Sequence, residues 1–375
     1  MIPIARCSFG PEEEELVLAA LRSGWVAQGP MVERFEQEFG QFCQAAHCVA
    51  VTSCTTALHL TLAALGVGPG DEVIVPAFTW CSTANVVEHL GGKAVFCDID
   101  LDTFNLDVAQ VESLITPHTV GLLPVHLFGL CAPLESLLVL ASQRGLWLVE
   151  DAACAFGSTY QGQPAGTLGR AGCFSFHPRK SITTGEGGMI VTDDAALAGR
   201  LRSLRNHGAG PASAPFLLPD YPEAGYNYRL TDLQAALGLA QLRQADHLLA
   251  ERKRVASGYL ERLELPWLRL PQAGEGHSWQ SFVTLYAPEE PLLSSLDQLY
   301  SGRNRLMQSL EAKGVSTRQG THAPVLLGYY REKYGLRPEQ FPGATLADRL
   351  SLALPLFAGM TEGEQAQVVS ALAQH

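Results

Sequence analysis

Charge is scarce in this chain. Only 17% of its 375 residues are Asp, Glu, Lys or Arg, and 26 basic residues face 38 acidic ones, for a formal net charge of -12. Such a balance leaves no electrostatic footprint for nucleic acid or for an anionic membrane surface. A phosphate-bearing ligand would have to be held by local donors, against the overall field. Long apolar runs are missing as well. No stretch approaches the roughly 18 uninterrupted apolar residues of a membrane span, so no transmembrane helix is expected. The opening MIPIARCSFGPEEEE lacks a basic segment followed by an apolar core, which argues against a secretory signal. C-x-x-C pairs are absent. Nine cysteines all fall within the first 173 residues, most of them inside apolar runs such as KAVFCDID. An odd count with this spacing reads as reduced, buried thiols of a cytoplasmic protein, not as a disulfide framework or a zinc site. No metal is expected.

What the chain does have is material for a core. Hydrophobic residues make up 47% of it, enough to exclude global disorder. Short apolar runs recur between turn signals: HCVAV (47–51), DEVIVP (71–76), KAVFCD (93–98), VGLLPVHLF (120–128), LWLVED (146–151), GCFSF (172–176) and GMIVTD (188–193). Several are continuous, not alternating, as strands buried on both faces require. Helix-like segments lie between them, among them TALHLTLAALGVGPG with its Gly-Pro-Gly stop. The alternation predicts an α/β layer built on a mainly parallel sheet.

The pattern changes after about residue 230. Residues 231–265 read as one long helix opened by Thr231 and Asp232. Residues 278–287 are a strand candidate, and 304–314 and 361–375 read as amphipathic helices, the last with Thr361 and Glu364 in capping-box spacing. A smaller C-terminal α+β domain is expected. The Pro- and Ala-rich segment 209–224 reads as an irregular loop.

Ligands of an open α/β sheet sit at the carboxyl ends of its strands, so the polar residues there are the candidates. After 47–51 comes TSCTTALHL, with Thr52, Ser53, Thr55 and Thr56 leading into a helix. It is either an ordinary N-cap or a phosphate cradle. After 71–76 comes Trp80, either a packed core ring or a stacking face for a flat ligand. After 146–149 comes Asp151, either a capping carboxylate or a partner for a cationic ring nitrogen. After 172–176 comes SFHPRKSITTGEGG. A P-loop needs Gly immediately before its Lys, where this chain has Arg179. Lys180 is thus either a solvated lysine or a nucleophile among small neutral groups. Taken together, a phosphate cradle, a flat aromatic, a carboxylate and a lysine at one sheet edge match the needs of one cofactor, pyridoxal phosphate.

At these residues the chain resembles the DegT/DnrJ/EryC1/StrS family of pyridoxal-phosphate-dependent aminotransferases, which act in nucleotide-sugar metabolism. The resemblance runs in order through SGWVAQGPMVERFEQEF, GVGPGDEVIVPAFTWCSTANVV, VHLFG, VEDAACAFGS, SFHPRKSITTGEGG, LRNHG, YNYRLTDLQAALGLAQL and LSLALPLFAGMTEGE. It implies a fold-type-I transferase: a mainly parallel seven-stranded sheet flanked by helices, with a smaller C-terminal α+β domain. The large domain would span 1–245, its first 15 or so residues packing on a small domain at 246–375. By the same resemblance Lys180 is the Schiff-base lysine, Asp151 faces the pyridine nitrogen and Trp80 stacks on the ring. Thr55, Thr56 and Ser175 hold the phosphate, and Asn227 reaches it from the partner subunit of a homodimer. Arg229 is a candidate for a substrate carboxylate or phosphate, and Glu186 shapes the pocket beyond the lysine. One position departs from the pattern. Three residues after the acid, where glutamine or histidine is common near the cofactor's phenolic oxygen, stands Cys154, a weak hydrogen-bond partner.

The implied activity is transfer of an amino group, with glutamate as donor, to a keto group of a nucleotide-linked 6-deoxy-ketosugar. Acceptors such as cyclitols or aminoketones stay open within the family. A related branch that removes a sugar hydroxyl carries histidine in place of the lysine, so Lys180 argues against it. A regulatory protein that kept only the fold would have lost one of the chemical groups. The acceptor pocket would draw on 23–30, 209–224 and 317–324, with Arg318 and His322 as candidates for the sugar or its phosphates.

Overall fold

The computed structural model describes residues 1–211 and 217–375; residues 212–216 of the 209–224 segment lie outside the described residues. The first five strands are β1 (His47–Val51), β2 (Glu72–Pro76), β3 (Lys93–Cys97), β4 (Thr119–Leu122) and β5 (Trp147–Asp151). A short hairpin, β6 (Thr159–Tyr160) and β7 (Gln163–Pro164), precedes β8 (Ala171–Ser175) and β9 (Gly188–Thr192). One seven-stranded sheet runs in the order β1-β9-β8-β5-β4-β2-β3. Only β9 is antiparallel to its neighbours, β1 and β8; the other pairs are parallel.

Helices cover both faces, which is why these strands are apolar without alternation. In β1, Val49 and Val51 join the cluster under the helix that follows it, while Cys48 and Ala50 join the opposite one. The helices of this half are α1 (Pro11–Ser23), α2 (Pro30–Cys43), α3 (Cys54–Ala64), α4 (Ser82–His89), α5 (Val108–Leu114), α6 (Leu134–Arg144), α7 (Ala195–Arg205) and α8 (Asp232–Arg243). Apolar residues of α3, α4 and α7 fill one face. Those of α2 and α8 fill the other over β1, β8 and β9, and α5 and α6 continue that layer over β2 to β5.

The C-terminal part holds α9 (Ala245–Arg262), β10 (Leu268–Arg269), β11 (Phe282–Tyr286), α10 (Leu296–Ala312), α11 (Gly328–Tyr334), α12 (Pro342–Leu350), β12 (Ser351–Leu354) and α13 (Glu362–Ala373). Its strands form a three-stranded antiparallel sheet, β10-β11-β12. Tyr259, Phe282, Leu306, Leu352 and Val368 share its core with Ile2 from the N-terminus, which bridges Val315.

Two sequence expectations need correction. The run 120–128 is not one strand. β4 stops at Leu122, because Pro124 has no N–H to continue a ladder. The chain regains only one bridge, Val125 to Asp151, before a single 3-10 turn at Leu127–Gly129. The segment 231–265 is not one helix either. It divides at Gln244 (φ -95°, ψ 6°), with α8 packed on α1 and α2 and α9 turned to the C-terminal sheet. Thr231 caps α8 reciprocally with Gln234, but the Asp232 carboxylate serves α2, accepting from the N–H groups of Gly29, Met31 and Val32.

Candidate active site

β5 ends in Asp151, which is buried. Its Oδ2 accepts a hydrogen bond from Thr83 Oγ1 at 2.8 Å, and Oδ1 accepts from the Ala153 N–H at 3.1 Å. Burial pushes its pKa above the ordinary carboxylate value, while these two bonds and the nearby Lys180 pull the other way. With the Cys54 thiol, which reaches Oδ1 at 4.0 Å, its bonded partners are a hydroxyl, an amide and a thiol, so a cation brought to this carboxylate would meet a base with no positive partner bonded to it. The local cap expected of an aspartate is present, in the Ala153 bond, but only as half of its environment.

The neighbouring Glu150 turns to the other face and is fully buried. It accepts from the N–H groups of Gly166, Leu168 and Gly169 at 2.6, 2.8 and 2.6 Å, and pairs with His126 Nε2 at 2.8 Å. The Ala132 N–H donates to His126 Nδ1, so in the neutral ring the proton sits on Nε2, facing Glu150. The His126 N–H in turn donates to the Asp151 carbonyl at 3.0 Å. Glu150 and His126 therefore fix the backbone on which Asp151 is carried.

Lys180 follows the end of β8, the strand that pairs with β5. A turn through Pro178 brings its N–H to the His177 carbonyl at 2.8 Å. Its Nζ donates to Cys154 Sγ at 3.0 Å. Cys154 lies three residues beyond Asp151, so the lysine and the acid meet over one short segment. Lys180 is half-buried, not a free surface lysine.

At the start of α3, Ser53 Oγ accepts from the Thr56 N–H, and Thr56 Oγ1 accepts from the Ser53 N–H. Both hydroxyls thus serve the capping box, leaving the first-turn N–H groups of Cys54 and Thr55 without intrahelical partners. The capped helix start thus keeps donors free for an anion. Ser175, at the end of β8, pairs with Gly188, whose backbone lies against Ser53: a Cβ there would meet the Ser53 carbonyl carbon at 2.5 Å. Arg229 joins the same edge, since its backbone bridges Val51 and the Thr52 N–H donates to the Tyr228 carbonyl. The Arg229 guanidinium donates to Asn206 Oδ1. Asn227 is exposed, and the rings of its two sequence neighbours, Tyr226 and Tyr228, stack on each other.

Trp80 is 52% exposed, so it is no core ring. Its indole lies 5.6 Å from the His322 ring, and the His322 carbonyl accepts from the Thr79 N–H. The 317–324 segment therefore does reach the site through His322. Arg318 does not join it in the same way: its backbone pairs with Ala353, and its exposed guanidinium donates to the Thr317 carbonyl. Glu186 is exposed, and its carbonyl accepts from Thr184 Oγ1 and Gln234 Nε2. Sequence reasoning missed Thr83, Glu150 and His126. Their signal was weak: a lone threonine after a strand, a glutamate at the end of one apolar run and a histidine inside another.

The family model for the DegT/DnrJ/EryC1/StrS aminotransferases matches residues 8–373. The chain belongs to this family. It is a pyridoxal-phosphate-dependent aminotransferase. It is 37% identical over 374 residues to the GDP-perosamine synthase of Caulobacter vibrioides, covering all of this chain and 98% of that one. It is 36% identical to the spore coat polysaccharide biosynthesis protein SpsC of Bacillus subtilis, covering 99% and 96%. A sugar aminotransferase described as putative, Spr1654 of Streptococcus pneumoniae, superposes in its PMP form with a TM-score of 0.92 at 28% identity, over 100% of this chain and 98% of that one. For this aminotransferase the seven-stranded sheet flanked by helices is the expected fold-type-I scaffold. No helix among the described residues is long and apolar enough to cross a membrane.

Proposed function

We propose that this aminotransferase moves an amino group from L-glutamate to the keto group of a nucleotide-linked 6-deoxy-ketosugar, on a route to deoxyaminosugars or polysaccharide. The observation that carries the reading is the convergence of Lys180 Nζ and the buried Asp151 carboxylate on adjacent strand ends. Similarity to a GDP-perosamine synthase and to a spore coat polysaccharide protein supports the sugar acceptor.

The residues present fit pyridoxal phosphate. Asp151 is a buried base whose bonded partners are neutral, the start of α3 offers free N–H groups, and Trp80 leaves a ring face open. When bound, this cofactor supplies an aldehyde that takes up the amine and a ring that spreads carbanion charge. The α3 N-terminus, with Thr55, Thr56 and Ser175, holds its phosphate by backbone donors and helix dipole. Asp151 keeps the proton on the ring nitrogen, and the low-dielectric surroundings strengthen that pair. Trp80 covers the ring face. Lys180 would hold the aldehyde, and its amine would move the proton at the donor's α-carbon. Cys154 holds the lysine amine and stands in for the residue near the ring oxygen.

We further read 1–245 as the cofactor-binding domain and 246–375 as the small domain, in a homodimer working in the cytoplasm. The exposure of Asn227 beside the phosphate cradle supports its reaching a partner's site. Arg229 and His322, with Arg318 further out, are the acceptor-side candidates. Lys180 disfavours the branch that removes a hydroxyl. The test is a panel of nucleotide-linked ketosugars incubated with glutamate and read by product mass. One aminated product supports the reading; glutamate consumption with no sugar in the panel aminated would overturn the acceptor class.

A further inference from the structure

Three consecutive carbonyls of the Lys180 turn are each held by a side chain from a distant part of the chain. Cys7 Sγ donates to the Pro178 carbonyl at 3.2 Å, Gln280 Nε2 to Arg179 at 2.9 Å, and Arg252 Nη2 to Lys180 at 3.1 Å. Arg252 also donates through Nη1 to the Gln280 carbonyl at 3.1 Å, tying two of the three holders together. Arg252 stands on α9 and is 3% exposed. Burial pushes its guanidinium down to about 10, so it remains a cation at neutral pH. These two bonded partners are carbonyl oxygens, and its Nε has no partner. A charge buried this way is held at a cost, and its planar fork tolerates little displacement of the oxygens it binds.

The lysine side chain has four rotatable bonds, and its head group must be free to leave the cofactor and to carry a proton. What can be fixed is its root. We propose that Arg252 is a positioning residue for Lys180: by clamping the Lys180 carbonyl, with Gln280 holding Arg179, it sets the point from which the lysine reaches the cofactor. This rests on the reading of Lys180 as the cofactor lysine. It also makes α9, which belongs to the C-terminal core through Val255, Ala256 and Tyr259, a direct mechanical neighbour of the reacting amine.

The experiment uses full-length protein loaded with pyridoxal phosphate, with Arg252→Met, Arg252→Lys and Gln280→Leu variants. Two readouts report on the lysine: the fraction of cofactor fixed to Lys180 by borohydride, and kcat against KM in the glutamate half-reaction. Arg252→Met should lower kcat roughly 10- to 100-fold with KM nearly unchanged, the scale expected for a misplaced reacting group. The trapped fraction should fall with it. Arg252→Lys, which keeps the cation, should recover much of both. Gln280→Leu should move both readouts the same way by less, and it decides the matter if Arg252→Met fails to fold. Lower melting temperatures with wild-type trapping and kcat would overturn the proposal and leave Arg252 a structural cap. Absence of any tag on Lys180 in the unaltered protein would overturn the underlying reading, and the proposal with it.

Discussion

Thr83 Oγ1 donates to Asp151 Oδ2 across 2.8 Å, joining the first turn of α4 to the end of β5. Both residues are buried, so this hydroxyl is the carboxylate's main side-chain support. Thr83→Val keeps the shape and removes the donor. The buried acceptor left behind should cost about 1–3 kcal/mol. If that cost falls mainly on the charged form of Asp151, cofactor affinity drops by about tenfold per 1.4 kcal/mol. Absorbance titration with pyridoxal phosphate checks this; unchanged affinity would show that Thr83 does not support the acid.

The raised pKa of Asp151 gives a pH dependence with a definite sign. Between the ordinary carboxylate value and the raised one, the folded protein binds a proton that the unfolded chain has released. Stability of the cofactor-free protein should therefore fall as pH rises through that window. Asp151→Asn removes the titrating group. Melting curves of the cofactor-free pair, taken from acid to neutral pH, should converge at the acid end and separate above the window, the variant being the more stable. Parallel curves would contradict the shift.

Glu150 accepts four donors with no water-exposed edge. Glu150→Gln turns one acceptor into a donor facing N–H groups, and should cost about 3 kcal/mol of stability. Urea unfolding measures it. A smaller loss in His126→Phe is expected, because the three backbone donors of Glu150 remain satisfied.

If Asn227 serves the partner's phosphate, two inactive variants should complement. A mixed dimer of Lys180→Ala and Asn227→Asp has one doubly altered site and one intact site. Random reassociation should restore about a quarter of wild-type activity, since half the dimers are mixed. Co-refolded or co-expressed protein, assayed against each variant alone, gives the answer. No recovery would place Asn227 in its own subunit's site, and an active Asn227→Asp variant would place it outside any.

Much of the site was legible because strand ends are legible. HCVAV, LWLVED and GCFSF announce buried strands, and Thr55, Asp151, Ser175 and Lys180 follow from where they stop. Cap and cradle at Ser53–Thr56 do not exclude each other, since the capped helix start still leaves first-turn N–H groups free. Trp80 was less legible. A tryptophan beside an apolar strand looks like core, and only the path of 317–324 shows that its neighbour is His322 at an open face.

Local pattern, in short continuous apolar runs for the buried strands and a period of about 3.6 residues for the helices, determined most of the elements, and the order of motifs determined the family. What depends on distant partners was left to the tertiary structure. Gln244 breaks a helix that continuous periodicity implied, because its two halves pack on different cores. Thr83 meets Asp151 across 68 residues, and Arg252 meets the Lys180 carbonyl across 72. Such contacts are set by how layers pack, and no spacing along the chain records them.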